Sequence, residues 1–93
     1  MKKIRYTILY RESVAKDLKK IPWEYRAQIV KKIQTLAVDA TPVGSVKLRG
    51  SVDLYRIRQG EYRIIYELRN NELIVMVIKI GHRREVYQES LRS

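Results

Sequence analysis

The sequence predicts an α+β domain: an N-terminal strand, then an αα-hairpin packed on an antiparallel-rich four-stranded sheet, in the order β-α-α-β-β-β, with a short C-terminal tail helix. Three observations predict it. Apolar residues alternate at Ile4, Tyr6 and Ile8, then recur at spacings of three and four from Val14 to Ala37, and from Leu54 onward the period returns to two. At 93 residues the chain has room for one domain, spanning 1–93, and it contains no internal repeat.

In the first strand, Ile4, Tyr6 and Ile8 are separated by Arg5 and Thr7, so one face is apolar and the other polar. From Ser13, the spacing of Val14, Leu18 and Ile21 marks an amphipathic helix, with Lys16, Lys19 and Lys20 off its stripe. Pro22 ends that helix or opens the next, because proline suits a first turn and not an interior. A second helix over 23–37 carries Trp23, Ala27, Val30 and Ala37 along one side of its apolar face, joined by Ile33 and Leu36. Arg26, Lys31 and Lys32 take the exposed side, and Trp23 is expected to anchor the helix on the sheet. Helices joined so tightly fold back on each other.

Pro42 and Gly44 make 39–45 a loop. Residues 54–59 and 62–68 then form two strands joined by Gly60-Glu61, where glycine supplies the positive φ of a tight hairpin. Asn70-Asn71 marks the next turn. Residues 73–80 are nearly all apolar and are expected at the sheet centre with both faces covered. Gly81 breaks that strand, and the tail helix is expected within 83–91. Tyr55, Tyr62 and Tyr66 could serve as base-stacking platforms, but at alternating positions of core-facing strands they are expected in the core.

Charge narrows the function. Twenty Lys and Arg against ten Asp and Glu give a net charge of +10, a field that attracts nucleic acid, an anionic membrane surface or an acidic protein. Residues 1–50 hold twelve basic and four acidic side chains, residues 51–93 eight and six. With no cysteine, disulfides, thiolate metal sites and cysteine nucleophiles are excluded, and the single histidine, His82, makes no metal cluster alone. The N-terminus has no signal-peptide apolar block, and the run from Leu73 to Ile78 is far too short to span a membrane, so a cytoplasmic protein is expected.

In the strand 54–59, Arg56 and Arg58 share one face while Tyr55 and Ile57 take the other. A two-residue turn at Gly60-Glu61 would pair Gln59 with Tyr62 and Arg58 with Arg63. Arginines held opposite each other repel, and an anion between them relieves the repulsion. The segment after the last long strand would bring His82, Arg83 and Tyr87 to the rim of the same face. Several guanidiniums around one point suit a phosphodiester, since each presents a planar fork of donors, and a tyrosine beside them can stack on a base. The ordinary alternative is a solvated basic sheet face.

These residues resemble the RelE/ParE toxin superfamily, and RelE more closely. The likeness runs through residues 15–22, Lys47-Leu48-Arg49-Gly50, residues 53–58, residues 60–66 and Ile80-Gly81-His82-Arg83-Arg84-Glu85-Val86-Tyr87. It implies a toxin of a type II toxin–antitoxin system that enters the ribosomal A site and cleaves mRNA without a metal or cofactor. The ribose 2′-hydroxyl attacks the adjacent phosphate, leaving a cyclic phosphate and a free 5′-hydroxyl. The matching positions are Arg56, Arg58, Arg63, Arg83 and Tyr87. Arg63 would hold the phosphate, Arg83 would protonate or neutralise the leaving oxygen, and Tyr87 would stack on the nucleotide. Lys47, Arg49 and Arg84 would contact RNA, and Lys16, Lys19, Lys20, Lys31 and Lys32 either grip ribosomal RNA or simply solvate the helices. The resemblance also implies a small acidic antitoxin that wraps the basic surface, with residues 86–91 moving as it binds.

One departure bears on mechanism. Family members often carry lysines where this chain has Arg56 and Arg58, and arginine is a poor proton acceptor because its pKa exceeds about 12. Either electrostatic stabilisation of the phosphorane dominates, or His82 supplies proton transfer; a strand-end capping role is the plainer reading of that histidine. The alternative functions are a ParE-like inhibitor of DNA gyrase without nuclease activity and a nucleic-acid-binding module without catalysis.

Overall fold

The computed structural model describes residues 4–48, 50 and 53–84. The elements are β1 (Thr7–Tyr10), α1 (Glu12–Lys19), α2 (Trp23–Thr35), β2 (Val46–Lys47), β3 (Leu54–Gln59), β4 (Tyr62–Arg69) and β5 (Ile74–His82). The expected α+β architecture is present, with one strand more. β2 adds to the edge by pairing Val46 with Arg56 and Lys47 with Tyr55. Two residues carry no periodic signal, so the sequence predicts no strand there. The expected tail helix and Tyr87 lie outside the described residues, as does Arg49.

The sheet order is β1-β5-β4-β3-β2. β1 runs parallel to β5, and every other neighbouring pair is antiparallel. The central strand is therefore β4, with β5 beside it. The first strand begins later than its alternation suggests: the Tyr6 amide donates to the Ala37 carbonyl at 2.8 Å rather than joining the ladder, and Ile4 is exposed.

One face of the sheet holds the core. Val14 and Ile21 from the α1 region and Ile29, Ile33 and Leu36 from the α2 region pack on Ile57, Ile64, Tyr66, Leu68, Val75, Val77 and Ile80. Each buried aliphatic side chain contributes about 1.5–3 kcal/mol of transfer free energy. The stripe of α2 is Ile29–Ile33–Leu36, and Trp23 is 72 % exposed, so it is not the anchor the sequence suggests. At about 100° per residue, Trp23 is turned roughly 120° from Ile29. Tyr66 is buried and its hydroxyl donates to the Ala40 carbonyl at 2.6 Å, tying the loop after α2 to β4. Tyr55 stacks on Tyr66 at 5.8 Å, and Tyr62 is only half-buried.

Two local features set the functional geometry. The β3–β4 turn is Gly60-Glu61, with Gly60 at φ 60, and it pairs Arg58 with Arg63 and Gln59 with Tyr62, as the turn predicts. A register shift then lies between Ile65 and Tyr66, which pair with Lys79 and Val77, leaving Ile78 as an extra residue in β5. Such a bulge reverses the alternation of faces beyond it. Where β1 ends, Asp17 of α1 closes the strand: its Oδ2 accepts from the Ile80 amide at 3.1 Å, and its Oδ1 is 3.5 Å from Lys79 Nζ. Among the described residues, no helix is long and apolar enough to cross a membrane.

Candidate functional site

The hairpin register builds the site. Arg56 pairs with Ile65 and Arg58 with Arg63, so these arginines share the face away from the helices, opposite Ile57 and Ile64. Arg63 also pairs with Gly81 of β5, where the absence of a side chain leaves room beside its guanidinium. Arg83 follows β5 and is held at the hairpin tip, its amide donating to the Glu61 carbonyl at 2.8 Å and its Nε 3.1 Å from Glu61 Oε2.

Arg56, Arg63, Arg83 and Arg84 line a cleft of 310 Å³, and Arg56, Arg58 and Arg63 also line an adjoining cleft of 410 Å³. Burial lowers the pKa of Arg63 first, and the positive charges of Arg58, Arg56 and Arg83 lower it further against the opposing carboxylate of Glu61. Its Nη1 donates to the carbonyls of Gly60 and Tyr62, both at 3.3 Å. The Arg83–Glu61 pair is exposed on both sides, so it orients Arg83 at little energetic gain. Converging guanidiniums around open clefts suit an anion, since a phosphodiester between them would offset their mutual repulsion.

Arg56, Arg58, Arg63, Arg83 and Arg84 are thus brought together. Lys47 is not, since it pairs with Tyr55 and so falls on the opposite face from Arg56. His82 is not either. It pairs with Tyr62, and its ring meets the Tyr62 ring edge-on at 5.9 Å on the helix side of the sheet. The expectation that His82 shares the arginine rim fails because the extra residue at Ile78 turns it to the other face. Its Nδ1 accepts a long 3.4 Å hydrogen bond from the Arg84 amide at the strand end. Lys32, which the sequence groups with the helix lysines, lines the larger cleft beside Arg56 and Arg58. Only the packing of the last turn of α2 over β3 reveals that neighbour, and no local spacing signals it.

Comparison with known proteins places the fold. The family described as ParE toxin of type II toxin–antitoxin system, parDE, matches residues 8–87. The mRNA interferase toxin RelE of Escherichia coli K12 is 31 % identical over 91 residues, covering 94 % of this chain and 95 % of that protein. The chain belongs to the RelE/ParE toxin superfamily. A RelE mutant of E. coli solved in the free state matches this RelE-like toxin with a TM-score of 0.76 at 28 % identity, over 95 % of this chain and 96 % of that one. The archaeal RelE–RelB complex from Pyrococcus horikoshii contains a chain with a TM-score of 0.76 at 26 % identity, covering 85 % of this chain and 96 % of that one.

Proposed function

We propose that this toxin is a ribosome-dependent endoribonuclease that cuts mRNA in the ribosomal A site. The observation that carries the reading is the convergence of Arg56, Arg58, Arg63 and Arg83 on one sheet face, with Arg63 under the positive field of the other three. In the proposed reaction the ribose 2′-hydroxyl gives its proton to solvent as its oxygen attacks the adjacent phosphorus, the bond from phosphorus to the 5′-oxygen breaks, and a cyclic phosphate and a 5′-hydroxyl result. Arg63 and Arg56 neutralise the phosphorane oxygens, Arg83 neutralises or protonates the leaving oxygen, and Arg58 faces the attacking side. Tyr87 stacks on the nucleotide, and Arg49 and Arg84 guide the strand. These side chains, rather than a metal, supply the positive charge. His82 takes no part, since it stands on the other side of the sheet, and catalysis rests on electrostatic stabilisation.

The partner in the resting cell is a small acidic antitoxin that covers the arginine face, as the RelE–RelB pairing of the archaeal relative suggests. The site of action is the cytoplasm. A second reading follows from the ParE description of the matching family: a poison of DNA gyrase with no nuclease activity. Induction of the chain alone, with mapping of mRNA ends, separates the two. Codon-phased cleavage with 5′-hydroxyl ends is expected; DNA-damage signalling with intact mRNA would reverse the choice.

A further inference from the structure

A separate cavity, of 320 Å³, lies on the helix side of the same hairpin tip, between the first turns of α2 and the Gly60-Glu61 turn. Its walls combine aromatic faces with amides: Tyr25, Gln28, Gln59, Tyr62 and His82. Tyr25 and Tyr62 are 6.0 Å apart with planes tilted by 41°, and Tyr62 meets His82 edge-on at 5.9 Å. Tyr25 is 49 % exposed, so its ring is accessible to a ligand. The side-chain amides of Gln28 and Gln59 make no hydrogen bond among the described residues. We propose that this cavity is a nucleobase site that takes one unpaired base of RNA, stacked on Tyr25 and Tyr62 and read at its edge by Gln28 and Gln59.

The chemistry of the walls selects that ligand. Aromatic rings stack on any base, and glutamine amides offer the paired donor and acceptor that a base edge requires. The placement supports it further. Tyr62 and Arg63 are consecutive and face opposite sides of the sheet, and so do His82 and Gly81, which pair with them. Arg83 comes next and lines the arginine cleft. The aromatic cavity and the phosphate cleft are thus back to back across one hairpin tip, joined over the open surface at Gly60, where nothing stands within 4 Å of an added Cβ. A strand held in the cleft has a short route over this tip, and a base from a separate RNA segment can enter from the helix side. The inference rests on the reading of the arginine face as an RNA site only for its biological setting; the base site is measured on its own.

The test uses the full chain, with adenosine and ribose 5-phosphate as separate probes. Binding is followed by the side-chain amide resonances of Gln28 and Gln59. Adenosine is expected to shift both amides, and Tyr25→Ala to weaken it about tenfold, with Tyr25→Phe restoring it. Arg63→Ala is expected to weaken ribose 5-phosphate and leave adenosine unchanged. If both substitutions weaken a diadenylate more than its separate parts, the base and the phosphate come from one strand; if a diadenylate binds no better than its parts, the base comes from a second segment. Adenosine that leaves the Gln28 and Gln59 resonances unmoved, or binds Tyr25→Ala and Gln28→Ala as it binds the parent, overturns the proposal. Loss of the Arg63 effect with adenosine binding intact instead counts against the arginine cleft.

Discussion

Replacing Arg63 by glutamine separates folding from function, because its two structural roles nearly cancel. The side chain donates two long hydrogen bonds, at 3.3 Å, to carbonyls at the hairpin tip. Near the surface these contribute about 0.5 kcal/mol each or less. Against them stands repulsion from Arg58, Arg56 and Arg83. At charge separations of roughly 8 Å in water, each pair costs about 0.5 kcal/mol unscreened and about 0.2 kcal/mol at physiological salt, so three pairs cost about 0.6 kcal/mol. The net change in stability is within about 0.5 kcal/mol, or at most about 4 °C in Tm. At roughly 10 mM salt the screening length grows to about 30 Å and the repulsion to about 1 kcal/mol, partly offset by the Glu61 carboxylate, so the variant gains on the parent as salt falls. On the proposed reaction, loss of one charge at the phosphorane is expected to lower cleavage about 100- to 1000-fold. The assays are thermal unfolding at two salt concentrations and mRNA cleavage on programmed ribosomes. Cleavage within about tenfold of the parent, or a Tm difference indifferent to salt, refutes the reasoning.

Tyr66→Phe removes the donor to the Ala40 carbonyl and is expected to cost about 1–2 kcal/mol, read as a lower urea midpoint. The same residue gives an alkaline limit. Burial, aided by Tyr55, pushes the Tyr66 hydroxyl up to about 12. The folded state therefore favours the neutral phenol: stability is whole below about pH 10, where an exposed tyrosine starts to ionise, and falls by about 2–3 kcal/mol as pH rises to about 12. Tyr66→Phe should flatten that part of the stability profile. Asp17→Ala leaves the Ile80 amide without its carboxylate partner and is expected to cost about 2 kcal/mol, with faster hydrogen exchange at Ile80. Trp23→Ala is expected to change stability by less than about 0.5 kcal/mol, where a buried anchor would cost about 3–5 kcal/mol.

Much of the molecule was legible along the chain. The α+β class, the helical hairpin, the Gly60-Glu61 turn and the Arg58–Arg63 pairing all follow from short-range patterns: a period of two or of three to four, and a glycine able to take positive φ. Local spacing failed where a local pattern was shared or absent. Trp23 sits at a helix start, where one large apolar residue is no guide to the buried side, and β2 is too short to show a period. Lys32 joins the arginine face only through the way α2 lies over β3.

The chain by itself determined which side chains stand opposite one another across the hairpin, because strand alternation and a two-residue turn leave one register. Only the tertiary structure decided which aromatic groups accompany them. One extra residue at Ile78 in β5 reverses the faces of everything beyond it, so His82 turns toward Tyr62 and α2 while Arg83 stays with Arg63. The bulge exists only in the pairing of β5 with β4, and the Ile80 amide just past it donates to Asp17, 63 residues away, so contacts distant along the chain fix this face and no local pattern shows it.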